Sequence, residues 1–191
     1  MTETIPTLRI ITRPEVRVCC LRCEAEGRRR GVWLPLDEVE DACTDSVHCG
    51  RVVRLERGVD LHVDAQSAVL ESRNFPVDGP LTHAQVEAWQ AVYEAVGEDD
   101  WAAYLTWVDV GAYVENGDGL PSASDFRYRY AGSWPDFKTY ARELAAETGL
   151  MEGWPETATT YFDWARWARD ARHDYTVADG PHGGIFVFRD L

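Results

Sequence analysis

The stretch Thr82-His-Ala-Gln-Val-Glu-Ala-Trp-Gln-Ala-Val-Tyr-Glu-Ala-Val-Gly97 carries its own start, face and stop. Thr82 followed by Gln85 three residues on is a capping box. Val86, Trp89, Val92, Tyr93 and Val96 then recur at helical spacing until Gly97. At about 100° per residue, Glu87, Glu94 and Glu98 fall within about 40° of one another on the side opposite the rings. The spacing predicts an amphipathic helix that buries aromatics and lifts a row of carboxylates into solvent.

Working outward, a second helix starts at Asp99 or Asp100 and carries Trp101, Tyr104, Leu105 and Val108, and Asn116-Gly-Asp-Gly119 stops whatever follows it. Ser133 with Asp136 three residues on, then Phe137, Tyr140, Ala141 and Leu144 ahead of Gly149, predicts a third helix. Asp163 to Arg172 reads as a fourth. Tyr175 to Val177 and Ile185 to Phe188, joined by Ala178 to Gly184, read as a terminal hairpin. Toward the N-terminus, Ile10 to Leu21, Gly31 to Leu36 and Gly50 to Leu61 have the β-branched content and alternation of strands, with a short helix at Asp37 to Ala42 between them. The pattern is that of an α+β protein. Three small units are expected: an N-terminal mixed α/β unit (1–62), a central acidic helical unit (63–124), and a C-terminal α+β unit (125–191).

Charge is distributed unevenly over these units. Of the net −14, none belongs to residues 1–57, which balance 10 Arg against 10 acids, while residues 58–124 hold 12 acids and the single base Arg73. Acids at i, i+7, i+11 recur beyond the first helix as Asp136, Glu143, Glu147 and as Asp163, Asp170, Asp174. At about 1.5 Å per residue they stand about 6 and 10 Å apart along a helix, bracketing the spacing of phosphates on one nucleic-acid strand. Asp99, Asp100, Asp109, Glu115, Asp118 and Asp125 extend the same surface. A solvated helix face ordinarily mixes signs; this one does not. It repels nucleic acid and attracts proteins that bind nucleic acid.

The five cysteines lie between Cys19 and Cys49 in a chain without an export signal or an apolar stretch of membrane-spanning length, so a cytoplasmic setting without disulfides is expected. Cys20, Cys23, Cys43 and Cys49 have the composition of a structural zinc site, with x2 spacing in the first pair and a looser x5 in the second. Ordinary buried thiols are the other reading. Catalytic constellations are missing: His62, His83, His173 and His182 are scattered, none in a zinc-hydrolase or deaminase arrangement. An enzyme is not expected.

The segment Tyr161-Phe-Asp-Trp-Ala-Arg-Trp-Ala-Arg-Asp170 with the closing Val187-Phe-Arg189 resembles the end of the ArdA antirestriction proteins. Tyr130-Ala-Gly-Ser-Trp134 and Phe137-Lys-Thr-Tyr-Ala-Arg-Glu-Leu144 are similar to that family's Tyr-x-Gly-x-aromatic turn and the helix after it, and Gly31-Val-Trp-Leu34 to its N-terminal Gly-x-Trp strand. The resemblance implies an elongated, homodimeric, three-part protein that mimics bent DNA. Such a protein occupies the DNA-binding site of type I restriction-modification enzymes and binds neither nucleic acid nor membrane. The chain departs from the family's pattern in its neutral N-terminal part, with the basic run Arg28-Arg-Arg30 and the cysteine cluster. From another class, an acidic zinc-knuckle adaptor that binds a different DNA-handling or defence protein fits the same residues.

Overall fold

A computed structural model describes residues 13–27, 31–39, 47–48, 51–52, 67–111, 113–117, 119–181 and 183–190. The fold is α+β, and the chain divides into two compact units, Met1–Trp101 and Ala102–Leu191. Of the boundaries expected from the sequence, residue 62 lies outside the described residues and residue 124 falls inside a helix.

In the first unit, β1 (Glu15–Cys20) leads directly into the short α1 (Leu21–Ala25), then come β2 (Val32–Pro35), a two-stranded pairing of β3 (Val47–His48) with β4 (Arg51–Val52), β5 (Ser67–Arg73) and α2 (His83–Val96). The main sheet has the order β2-β1-β5, all antiparallel. Val16 and Val18 of the central strand are fully buried with Leu34 and Val69 from its neighbours. The opposite face of the same strands carries charge. Arg17 Nη2 meets Glu71 Oε1 at 2.7 Å, Arg73 pairs with Glu15, and the Arg73 guanidinium lies 4.5 Å over the Trp33 ring. Opposite signs placed across antiparallel strands are the sheet equivalent of helical ion pairs. A register shift between Arg17 and Val18 breaks the alternation, and Cys19 and Cys20 are consequently both buried.

The expected strand from Ile10 to Leu21 is thus shorter than its apolar run, because Leu21 turns into α1. The expected helix at 37–42 opens as a 3-10 turn over Leu36–Glu38 with Leu36 buried, and residues 40–46 lie outside the described residues. Of the strand expected at 50–61 the described part is Arg51–Val52.

Helix α2 follows its sequence closely. Thr82 accepts from the Gln85 N–H, and the Gln85 side chain accepts from the Thr82 N–H at 2.9 Å, completing the box. Val86, Trp89, Val92 and Val96 are buried, Phe75 meets Trp89 edge-on, and the Trp101 indole N–H donates to the Asn74 carbonyl at 2.9 Å. Gly97 stops the helix at φ 90°, a conformation that a side chain would resist.

The second unit begins within α3 (Trp101–Asp109) and continues through α4 (Ala123–Arg129), β6 (Tyr130–Trp134), α5 (Phe137–Glu147), α6 (Glu156–Thr160), α7 (Trp164–Ala171), β7 (Tyr175–Asp179) and β8 (Ile185–Arg189). Tyr104, Trp107, Phe126 and Phe188 form a buried aromatic cluster, in which the Tyr104 hydroxyl donates to the Pro121 carbonyl at 2.7 Å. The terminal hairpin is part of a three-stranded sheet of order β6-β8-β7. Gly184 is required at its edge, since a Cβ there would stand 2.6 Å from the Trp134 carbonyl oxygen. Helices α5 and α7 cover Val187 with Phe137, Tyr140, Ala141 and Ala168.

One cap differs from expectation. Ser133 is held in β6 opposite Phe186, and Asp136 is the residue that caps α5. For α2 the capping box predicts that Thr82→Ala lowers unfolding free energy by about 1 kcal/mol while Thr82→Ser restores most of it. Equal denaturation midpoints for the unaltered protein and Thr82→Ala would contradict that role.

Candidate functional site

From Asn74 to Phe126 the chain contains ten acids and not one Lys or Arg. In the first unit Glu87 and Glu94 stand exposed on α2, whose sequence has no Lys or Arg, and Glu98 and Asp99 are exposed just past Gly97, with Asp100 half-buried before α3. Glu98 lies close enough to Tyr93 that burial first and this carboxylate second raise the phenol's pKa. In the second unit Asp109 and Glu115 are exposed, and Asp118 lies outside the described residues. Asp125 differs from these: its side chain is only 16% exposed and pairs with Arg129 at 2.9 Å, so its charge is balanced within the fold.

The two later acidic rows are also not equivalent to the first. Asp136, Glu143 and Glu147 are exposed along α5, but Lys138 and Arg142 share the helix surface. Asp136 accepts from the Thr139 N–H at 2.8 Å and from its hydroxyl, and these bonds hold its carboxyl below the usual 3.8. On α7, Asp163 is the N-cap, accepting from the Arg166 N–H, and Asp170 lies 3.8 Å from Arg166 and 4.0 Å from Arg169. Asp174 falls in the 3-10 turn Arg172–Asp174 after the helix. Rows alike in spacing therefore differ in net sign, and only α2 is purely negative.

Helix ends sharpen the contrast. A helix C-terminus carries partial negative charge and favours a base by about 0.3–1 kcal/mol. Helices α2, α3 and α5 have no base in the last turn, and Asp109 and Glu147 are themselves the final residues of α3 and α5. Asp109 and Glu147 thus stand against the dipoles of α3 and α5 and work against their stability.

Among the proposed zinc ligands, Cys20 is buried at the end of β1, the Cys23 side chain lies outside what is described although its backbone is in α1, and Cys43 and Cys49 are outside the described residues. Burial and then the Glu24 carboxylate push the neighbouring Cys19 thiol up, which keeps it protonated and poorly nucleophilic. Among the described residues no group of three or more His, Cys, Asp or Glu is arranged to hold a metal. None of the described helices is long and apolar enough to cross a membrane.

Exposed carboxylates on helices that pack over buried rings are the main feature of the described surface. The chain belongs to the ArdA antirestriction family, whose model, described as Antirestriction protein (ArdA), matches residues 16–185, from β1 into β8. No curated protein matches the chain. Antirestriction proteins act on restriction enzymes as inhibitors, and antirestriction is the function of this protein.

The placement of Asp136 and Glu147 gives two separable expectations. Asp136→Ala lowers the melting temperature by about 2–4 °C, whereas Asp136→Asn, an equally good cap, leaves it nearly unchanged. Because the folded-state pKa is depressed, the carboxylate's contribution is present above 3.8 and disappears as pH falls through the lower folded value. Glu147→Gln raises the melting temperature by about 1–2 °C at low salt and by less at high salt. Thermal melts at two ionic strengths check both, and a fall for Glu147→Gln would refute the reading of the helix ends.

Proposed function

We propose that this protein is a DNA mimic that acts as a homodimer in the cytoplasm and occupies the DNA-binding site of a type I restriction-modification enzyme, blocking it by competition. The observation that carries this reading is the run from Asn74 to Phe126, ten acids and no Lys or Arg, with its described acids other than Asp125 on the surface or at its edge. An enzyme that locates DNA through Lys and Arg on phosphates offers the complementary surface. Long-range attraction speeds the encounter, and contacts at short range hold the complex. Glu87, Glu94, Glu98, Asp99, Asp109 and Glu115 are the proposed principal contacts. Asp136, Glu143, Glu147, Asp163 and Asp170 contribute to a weaker field diluted by neighbouring bases.

The test is protection of unmodified DNA from a type I restriction enzyme, with an equally acidic unrelated protein as control. Protection is expected from this protein alone and weakens as salt rises, because exposed charges separated by more than about 10 Å are screened at 0.1 M. Glu87→Gln changes the inhibition constant less than about tenfold, the scale of one exposed charge pair. Reversal of Glu87, Glu94 and Glu98 together raises it by more than tenfold, roughly three such contributions added. Complete loss with Glu87→Gln alone would replace distributed mimicry by a localised contact.

A structural zinc bound by Cys20, Cys23, Cys43 and Cys49 is proposed for the N-terminal part, where it would contribute on the order of 10 kcal/mol to local folding. Metal analysis of protein purified without added zinc is expected to find about one equivalent per chain. Less than about a tenth of an equivalent would exclude the site.

A further inference from the structure

The end of the chain holds a surface that the acidic rows do not account for. Trp154, Phe162, Trp164 and Trp167 pack in edge-to-face and tilted pairs around the turn between α6 and α7, with ring centroids 5.0 to 6.4 Å apart. Tyr161 beside them is 83% exposed and Trp154 is 40% exposed. Tyr161, Phe162 and Trp167 line an open groove of about 420 Å³ whose polar rim is Asp163, Arg166 and Asp170. Large rings left in water next to carboxylates are the composition of an interface anchor, not of an ordinary surface.

The charge around the groove says what it fits. Its lining carries two carboxylates, Asp163 and Asp170, against one base, Arg166, with Arg169 standing 4.0 Å from Asp170. A cation with a flat, weakly hydrated face satisfies both ring and carboxylate, and guanidinium has that form whereas ammonium does not. The same ring cluster already takes one such group, since the Arg142 guanidinium lies 5.6 Å over the Trp164 ring. Arg166 and Arg169 are weak competitors. They stand 3.8 and 4.0 Å from Asp170 with all three side chains mostly exposed, pairs worth little in water.

We propose that this groove receives an arginine side chain from the DNA-binding surface of the partner. Its guanidinium lies over the Tyr161, Phe162 and Trp167 rings, and its N–H groups donate to Asp163 and Asp170. The proposal rests on the preceding reading that the partner is a DNA-binding protein, and it adds a discrimination that charge mimicry lacks. A phosphate-like row accepts Lys and Arg nearly alike; a ring-floored groove prefers Arg.

The test titrates octaarginine and octalysine into the full-length protein at fixed ionic strength, following tryptophan fluorescence. The unaltered protein binds octaarginine more tightly, and Tyr161→Ala reduces the arginine-to-lysine affinity ratio by about threefold without changing octalysine affinity, the scale of one exposed cation–π contact. Tyr161→Phe keeps the ratio. Because Tyr161 is so exposed, its loss leaves the fold intact. A ratio that survives Tyr161→Ala, or an equal fall for both peptides, overturns the proposal. So does dissociation of the protein's own dimer by Tyr161→Ala in sedimentation, which would assign the groove to a second copy of the chain. Failure of the antirestriction mechanism shows separately, as absence of protection by the unaltered protein, and the peptide ratios still decide the groove.

Discussion

Burial of aromatic rings beneath a one-signed surface is the constraint on which everything else in this protein depends. Carboxylates concentrated without counter-charges repel one another and destabilise whatever carries them. The offset lies directly under them. In the first unit Trp89 and Trp101 are essentially inaccessible beneath the helix that carries Glu87 and Glu94. In the second, Tyr104, Trp107 and Phe126 are fully buried. A buried aromatic side chain removes about 150–250 Å² from water, at about 25 cal/mol per Å². A single ring therefore outweighs several exposed like-charge contacts of a few tenths of a kcal/mol each. The buried rings anchor the helices that bear these carboxylates.

Under the proposed mimicry, fixed geometry would matter as well as sign. A flexible acidic tail would attract a basic surface but lose ordering entropy on docking. Carboxylates set on α2, whose capping box and Gly97 define both ends, have already met that cost in folding. The acids at the C-terminal ends of α3 and α5 act on stability in the opposite sense. Asp109 and Glu147 occupy positions where a base would help the helix, and the buried core tolerates the difference.

The legible parts of the fold were those decided within a few residues. The box at Thr82 and Gln85, the Asp163 cap of α7 and the terminal hairpin all emerge where their local signals put them. Helix α4 was missed although Ser122 with Asp125 is a cap signal of the same kind. Its seven residues offer too few turns for periodicity to register. Strand β6 was missed for a different reason. Tyr130-Ala-Gly-Ser-Trp134 has no alternation of its own and becomes a strand by pairing with β8, more than fifty residues away. That pairing also decides the cap of α5. Ser133 and Asp136 are both good caps by local rule, but Ser133 is held opposite Phe186, so the role falls to Asp136.

The sequence by itself determined the sign of the surface, the helical rows that bear it and the family to which the chain belongs, because charge, periodicity and caps are local properties of consecutive residues. Tertiary structure decided which carboxylates remain available. It placed Arg129 against Asp125, set Arg166 and Arg169 near Asp170, and gathered Trp154, Phe162 and Trp167 beside the exposed Tyr161. Whether a charge is balanced or presented depends on which side chains packing brings within a few ångströms, and spacing along the chain does not contain that information.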